Sequence, residues 1–117
     1  MNLDELRTRL GDDDLVVLDV RGRGEYTGEQ VAPCDPRPGR IPGAVHFDVQ
    51  ELLAASPEEV AERIGPPGGK QIVAYCHSGS RSAMATHALS QLGYDAANYG
   101  GSWHEWSRDD SLPTETG

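Results

Sequence analysis

A continuous apolar run over residues 15–20, LVVLDV, most constrains what this 117-residue chain can fold into. The run is rich in β-branched residues and lacks the apolar–polar alternation of a strand that faces water on one side. Such a pattern is typical of a strand buried on both faces, as in a parallel sheet covered by helices. A second apolar run covers residues 71–75. Together the two runs favour an α/β fold with a central parallel sheet.

Helical signals alternate with the strand signals along the chain. Asn2 and Asp48 are suitable N-caps, and Ser56 forms a capping box with Glu59. Strands that alternate with helices place a ligand site at the carboxyl ends of the strands. The expected helices cover residues 3–10, 49–53, 57–64 and 83–92, and the expected strands cover residues 15–20, 44–47, 71–75 and 96–99.

Residues 21–43 show no apolar period and are rich in glycine and proline. So long an irregular stretch in a compact domain is usually a functional loop or a lid. We therefore expect one long loop here, and we expect it to frame the site.

Composition and charge exclude several classes of protein. The net charge of −9 argues against nucleic acid and against anionic membrane surfaces as partners, since both need a basic footprint. The chain has no run of 18 apolar residues, and its first residues lack the features of a secretory signal. We expect one domain over residues 1–117, located in the cytoplasm.

The two cysteines lie in different contexts, so two reduced thiols are expected rather than a disulfide framework. Cys34 is predicted to be an exposed loop thiol beside Asp35, and a Cys34–Cys76 redox pair is the minor alternative. The four histidines show none of the local spacings typical of a metal site, so no metal is expected.

Cys76 lies where the strand of residues 71–75 passes into a helical pattern. A sulfur atom in that position faces the unpaired N–H groups and the positive dipole end of a helix, and Arg81 adds a full charge nearby. Each of these features lowers the pKa of a thiol. Cys76 is therefore predicted to be a thiolate nucleophile.

Four segments carry a resemblance that covers nearly the whole chain: Leu18-Asp19-Val20-Arg21, Glu25-Tyr26, residues 39–44 (GRIPGA) and residues 76–82 (CHSGSRS). They resemble, in order, the Asp-x-Arg, Glu-Tyr, Gly-His-Ile-Pro-Gly-Ala and cysteine-loop motifs of the rhodanese domain. With residues 99–106, the chain is similar to the catalytic C-terminal half of thiosulfate and 3-mercaptopyruvate sulfurtransferases. Arg40 departs from the usual histidine, and that difference is interpreted as structural.

The resemblance implies a rhodanese-like three-layer α/β/α fold and sulfur transfer through a persulfide on Cys76, with no cofactor. The donor would be a small anion such as thiosulfate, and the acceptor would be cyanide, a small thiol or a protein thiol. Backbone N–H groups of the loop would hold the persulfide anion. The loop residues expected to bind substrate or persulfide are His77, Ser78, Gly79, Ser80, Arg81 and Ser82.

Asp19, Arg21 and Glu25 are expected to form a charge network that supports the site rather than to act in catalysis. In the mercaptopyruvate branch of the family, an arginine that grips the substrate carboxylate stands where this chain has Glu25. Mercaptopyruvate is therefore a less favoured donor than thiosulfate, unless Arg23, Arg37 or Arg40 replaces that arginine. His77 is only partly charged near neutral pH, so slow turnover with thiosulfate is expected.

Two alternatives stay open at this point. Cys-x5-Arg loops of cysteine phosphatases use similar chemistry, but the spacing here is Cys-x4-Arg. The resemblance to the rhodanese family implies that this shorter loop suits sulfur and that the longer one suits the larger phosphate. The domain is alternatively a persulfide carrier or partner-binding module with little turnover of free substrates.

Trp103 and Trp106 are expected to be packing residues that cover the sheet end.

Overall fold

The computed structural model describes residues 1–117, and it confirms the expected α/β fold. Strands and helices alternate, and none of the helices is long and apolar enough to span a membrane. The elements in chain order are α1 (Leu3–Arg9), β1 (Leu15–Asp19), α2 (Arg23–Thr27), β2 (Val45–His46), α3 (Val49–Ala54), α4 (Pro57–Ile64), β3 (Gln71–Tyr75), α5 (Ser80–Gln91), β4 (Ala96–Asn98) and α6 (Ser102–Trp106).

The four strands form one parallel sheet in the order β2-β1-β3-β4. Side chains alternate between its two faces, so each face has its own apolar core. Residues of α3, α4 and α5 cover the face that carries Leu18 and Ile72. Residues of α1 and α6 cover the face that carries Val17 and Val73. The three-layer arrangement is therefore present, with the sheet in the middle.

The two central strands end at the same level. Asp19, the last residue of β1, lies opposite Tyr75, the last residue of β3. Because both strands run in the same direction, the residues that follow them meet at one edge of the sheet. Arg21 and Cys76 are thereby brought to the carboxyl ends of the strands, where open α/β sheets place their ligands.

The expectation of one irregular loop over residues 21–43 is wrong at its start, because residues 23–27 form α2. Its first turn is capped when Glu25 accepts a hydrogen bond from the Gly22 N–H at 3.2 Å. Gly28, at φ 92°, ends the helix in the left-handed conformation. The helix carries no buried residue, so it lacks the apolar period that would have predicted it.

Arg37 fixes the remaining loop to the C-terminal segment. Its guanidinium donates hydrogen bonds to four backbone carbonyls, those of Trp106, Ser107, Asp109 and Leu112, at 2.8–3.2 Å. Trp106 is the last residue of α6 and the other three residues follow it, so the side chain acts as a C-terminal cap for the helix. The loop and α6 are therefore held together.

Replacing Arg37 with Met is expected to lower the free energy of unfolding by about 2 kcal/mol or more, because four carbonyls lose a charged donor. Urea denaturation measures the loss. Arg23→Met is the matched control: Arg23 is exposed and its side chain bonds to no protein atom, so that variant should unfold at the wild-type midpoint. Equal midpoints for the two variants would contradict the capping role.

Candidate active site

Cys76 follows β3 directly and lies at the start of the turn that leads into α5. Its Sγ accepts a hydrogen bond from the Gly79 N–H at 3.1 Å and contacts the Ser82 hydroxyl at 3.4 Å. The residue is only 1% exposed. Residues 76–82, called the Cys76 loop below, thus form a cradle with the sulfur at its floor.

The hydrogen-bond donors around the sulfur decide its protonation. Burial opposes ionisation of the thiol, but donors outweigh it and lower the pKa of Cys76 below its ordinary value. Those donors are the Ser82 hydroxyl and the backbone N–H groups of Ser82, Gly79 and Ser78. The loop therefore favours the thiolate, which is the nucleophilic form of cysteine.

Gly79 allows the loop to fold back on itself. Its φ is +101°, and a Cβ atom built there would lie 2.7 Å from the Gly100 carbonyl oxygen. A larger residue would be strained in its backbone and would collide with the neighbouring chain. The glycine thus permits both the curl that aims its N–H at Sγ and the close approach of residue 100.

The other side of the cradle is fixed by α6, a helix that the sequence did not predict. The Ser102 hydroxyl accepts a hydrogen bond from the Cys76 N–H at 3.1 Å. The N–H groups of Trp103 and His104 donate to the carbonyls of Cys76 and His77, both at 2.9 Å. Ser102 has a φ of +53°, which is uncommon for a residue with a Cβ atom. The pair Gly100-Gly101 before it is the only sequence signal of this turn.

Asp19 and Arg21 form a buried ion pair beside the cradle. Arg21 donates through Nε and Nη2 to the Asp19 carboxylate at 2.8–3.2 Å, and Nη2 also donates to the Gly39 carbonyl at 2.6 Å. The Tyr75 hydroxyl donates to Asp19 Oδ2 at 2.8 Å. The structure thus places both charged residues in a network that joins the ends of β1 and β3.

Glu25 and Arg81 form a second, partly exposed pair. Arg81 Nη1 and Nη2 donate to the two oxygens of Glu25 at 3.0 and 3.2 Å. Burial favours the neutral acid, but the guanidinium outweighs it and holds the pKa of Glu25 below its ordinary value. The positive charge that the sequence predicted near Cys76 is therefore present, and it is offset by a carboxylate.

The side chains of His77, Ser78 and Ser80 form no hydrogen bond with the sulfur. His77 contacts the Asp35 carboxylate at 3.0 Å. The hydroxyls of the exposed residues Ser78 and Ser80 bond to no protein atom. They remain available to a ligand at the mouth of the cradle.

Two of the three arginines that could replace the carboxylate-binding arginine of the mercaptopyruvate branch bind other groups of the protein. Arg37 caps α6, and Arg40 binds Glu115 together with the carbonyls of Tyr26 and Gly117. Arg23 is exposed and unpaired. Trp103 and Trp106 are buried, as expected of packing residues.

Comparison with known protein families identifies the family of this chain. Residues 2–109 match the model of the rhodanese-like domain. The chain belongs to the rhodanese-like domain family. It is 33% identical to a thiosulfate sulfurtransferase of Pseudomonas aeruginosa over 94% of this chain. It is 36% identical over 96% of its length to a probable 3-mercaptopyruvate sulfurtransferase of the same organism.

Solved structures of relatives share the fold of this rhodanese-like domain. A probable thiosulfate sulfurtransferase matches 98% of the chain with 43% identity and a TM-score of 0.81. An anaerobic ergothioneine biosynthesis enzyme from Chlorobium limicola matches 100% of the chain with 27% identity and a TM-score of 0.83. The chain spans 43% of the length of the two Pseudomonas proteins, in their C-terminal half, and 46% and 32% of the two solved chains.

Removal of the Ser82 hydroxyl is expected to raise the pKa of the Cys76 thiol. At neutral pH the thiolate fraction then falls, and alkylation by iodoacetamide should slow by about three- to tenfold. The rate is measured for Ser82→Ala in a Cys34→Ser background, so that only Cys76 reacts. Ser90→Ala, on the exposed far end of α5, should react at the unmodified rate. A Ser82→Ala rate equal to that control would rule out the hydroxyl as a donor to the thiolate.

Proposed function

We propose that this domain is a sulfurtransferase that carries sulfane sulfur as a persulfide on Cys76. The observation that carries the proposal is the cradle itself: a buried sulfur, a pKa below the ordinary thiol value, and N–H donors directed at the anion. Family membership adds support, since relatives in this family are named thiosulfate or 3-mercaptopyruvate sulfurtransferases.

The proposed reaction has two displacement steps. The Cys76 thiolate attacks the outer sulfur of thiosulfate, the sulfur–sulfur bond of the donor breaks, and sulfite leaves with the electron pair. Cyanide or a thiolate acceptor then attacks the terminal sulfur of the persulfide, and the Cys76 thiolate leaves. Loop N–H groups such as that of Gly79 stabilise the anionic sulfur in both steps. The protein ends in its starting state, and neither a metal nor a cofactor takes part.

Thiosulfate is favoured over 3-mercaptopyruvate as the donor because Glu25 stands where the mercaptopyruvate branch of the family has an arginine that binds the substrate carboxylate. The charge at the cradle mouth also makes turnover of any anionic donor slow. Glu25 occupies Arg81 and adds a negative charge that repels an anionic donor. Arg37 and Arg40 are engaged elsewhere, so of the three arginines considered only Arg23 is free to bind a carboxylate.

A persulfide carrier that passes sulfur to a partner protein is the second candidate function. The pairing of Arg81 with Glu25 favours it, because a neutralised guanidinium attracts small anions from solution less strongly. In this case a protein thiol would remove the sulfur far faster than cyanide. Both functions use the same persulfide, and both need a compartment that keeps the two free thiols reduced, for which we propose the cytoplasm. A cysteine phosphatase is disfavoured because the Cys-x4-Arg spacing is one residue shorter than the Cys-x5-Arg spacing of those enzymes.

The test is the mass of the reduced protein after incubation with thiosulfate. A gain of one sulfur, about 32 Da, on Cys76 is expected, and cyanide should remove it as thiocyanate. Cys76→Ser should gain no sulfur and release no thiocyanate. The matched control, Cys34→Ser in chelator-treated buffer, should gain one sulfur as the wild type does. A sulfur adduct on Cys76→Ser would contradict the proposal. Hydrolysis of an aryl phosphate would also contradict it if thiosulfate, mercaptopyruvate and a protein persulfide all gave no adduct.

Neutralising Glu25 should speed the first step. In Glu25→Gln the amide oxygen still accepts a hydrogen bond from Arg81, but the negative charge at the mouth is gone. Attraction of a dianionic donor then rises, and the rate of persulfide formation from thiosulfate should increase by about twofold or more. Quenched-flow mass spectrometry measures this rate. Glu29→Gln, an exposed carboxylate just beyond α2, is the control and should leave the rate unchanged. A slower Glu25→Gln would show that the carboxylate helps rather than repels the donor.

A further inference from the structure

Four side chains capable of binding a metal meet beside the Cys76 loop, although they come from three separate segments. Cys34 and Asp35 lie in the loop between α2 and β2, His77 follows Cys76, and His104 lies in α6. Their four ligand atoms all lie within 4.8 Å of one another. We propose that Cys34, Asp35, His77 and His104 form a binding site for a zinc-like divalent cation.

The distances within the cluster are close to those of a metal site. Cys34 Sγ lies 3.8 Å from His77 Nε2 and 3.9 Å from Asp35 Oδ1, and Asp35 Oδ2 lies 3.0 Å from His77 Nε2. Tetrahedral zinc with ordinary Zn–N and Zn–S bonds separates its ligand atoms by about 3.3–3.6 Å. The distances in the cluster, none of them above 4.8 Å, differ from that spacing by about 1 Å.

The cluster contains more ligands than an ion pair needs. Contact between His77 and Asp35 is explained by charge alone. Cys34 Sγ, in contrast, has only the two long contacts to His77 and Asp35, and the ring nitrogens of His104 bond to no protein atom. The His104 ring nevertheless packs edge-on against His77, with 5.7 Å between the ring centroids. Both groups are free to bind a cation without losing another partner.

The backbone around the cluster is fixed before any metal binds. The His104 N–H donates to the His77 carbonyl, and Arg108 binds the carbonyls of His104 and Cys34. Arg108 is also the one positive charge near Asp35, at 3.5 Å from Oδ1, which leaves Oδ2 for a metal. Since the Asp35 side chain is only 3% exposed, one carboxylate oxygen is already held in place. The site thus needs little ordering to bind a cation.

The donor atoms determine which cation is favoured. One thiolate and two imidazoles suit zinc and similar transition metals, whereas magnesium and calcium prefer all-oxygen sites. Binding converts the Cys34 thiol to a thiolate and releases its proton to solvent. The bound metal would link the loop of residues 34–35 and the helix α6 to His77, the residue after Cys76.

The test is metal binding by the chelator-treated, reduced protein. Wild type should bind one Zn²⁺ per chain by elemental analysis. Co²⁺ in its place should give a thiolate-to-cobalt charge-transfer absorption. Cys34→Ser should lose that absorption, and His104→Gln should weaken Zn²⁺ binding by about tenfold or more. Zn²⁺ should raise the melting temperature of wild type and not of Cys34→Ser.

Two controls separate this proposal from the sulfur chemistry. Cys76→Ser cannot form a persulfide on Cys76, yet it should retain the cobalt absorption and the Zn²⁺ affinity. His87→Gln, an exposed histidine on α5 outside the cluster, should bind as wild type does. The proposal is overturned if wild type binds no Zn²⁺, if Cys34→Ser and His104→Gln bind like wild type, or if the absorption disappears with Cys76 instead of Cys34.

Discussion

The buried ion pair of Asp19 and Arg21 is the interaction on which the edge of the sheet depends. Either charge alone would be severely destabilised in this interior, so each keeps the other in place. Asp19 also accepts the Tyr75 hydroxyl, which in turn accepts the Ile41 N–H. The Arg21 guanidinium lies over the ring of Trp103 at 5.0 Å. Both central strands, the long loop and α6 therefore meet at one pair of charges, next to the turn that carries Cys76.

Short-range hydrogen bonds contribute more than the charge of Arg81 to stabilising the anion in this cradle. The groups that lower the pKa of Cys76 are Ser82 and nearby backbone N–H groups, whereas Arg81 is bound to Glu25. Such N–H groups are fixed by the fold and need no reorganisation when charge moves onto the sulfur. In the proposed function, stabilisation of the persulfide and attraction of the donor would thus depend on different residues, and substitution of Glu25 would change the second without the first.

The sequence predicts those parts of the structure whose signals are local. β1, β3 and α5 follow from apolar runs and helical spacing, and the cysteine at a strand-to-helix turn follows from their order. The five-residue helix α2 was missed because it has no buried residue and hence no apolar period. The helix α6 was missed because five residues with only Trp103 and Trp106 on the buried apolar face are too few for a clear helical pattern. The Glu25–Arg81 pair joins residues 56 positions apart, and Cys34 lies 43 positions from His77. No local spacing encodes such contacts, so the spacing of the histidines could not reveal that Cys34, Asp35, His77 and His104 lie together.

The contacts between α6 and the Cys76 loop set an order of events during synthesis of the chain. Cys76 leaves the ribosome before Ser102 and Trp103, which bind its backbone N–H and carbonyl. Until those residues arrive, the loop lacks one wall and the thiol is open to oxidants. The sheet adds to this delay, since its central strands close only after a long connection has been ordered. The nascent domain therefore passes through a stage in which Cys76 lacks part of the protection that it has in the folded domain.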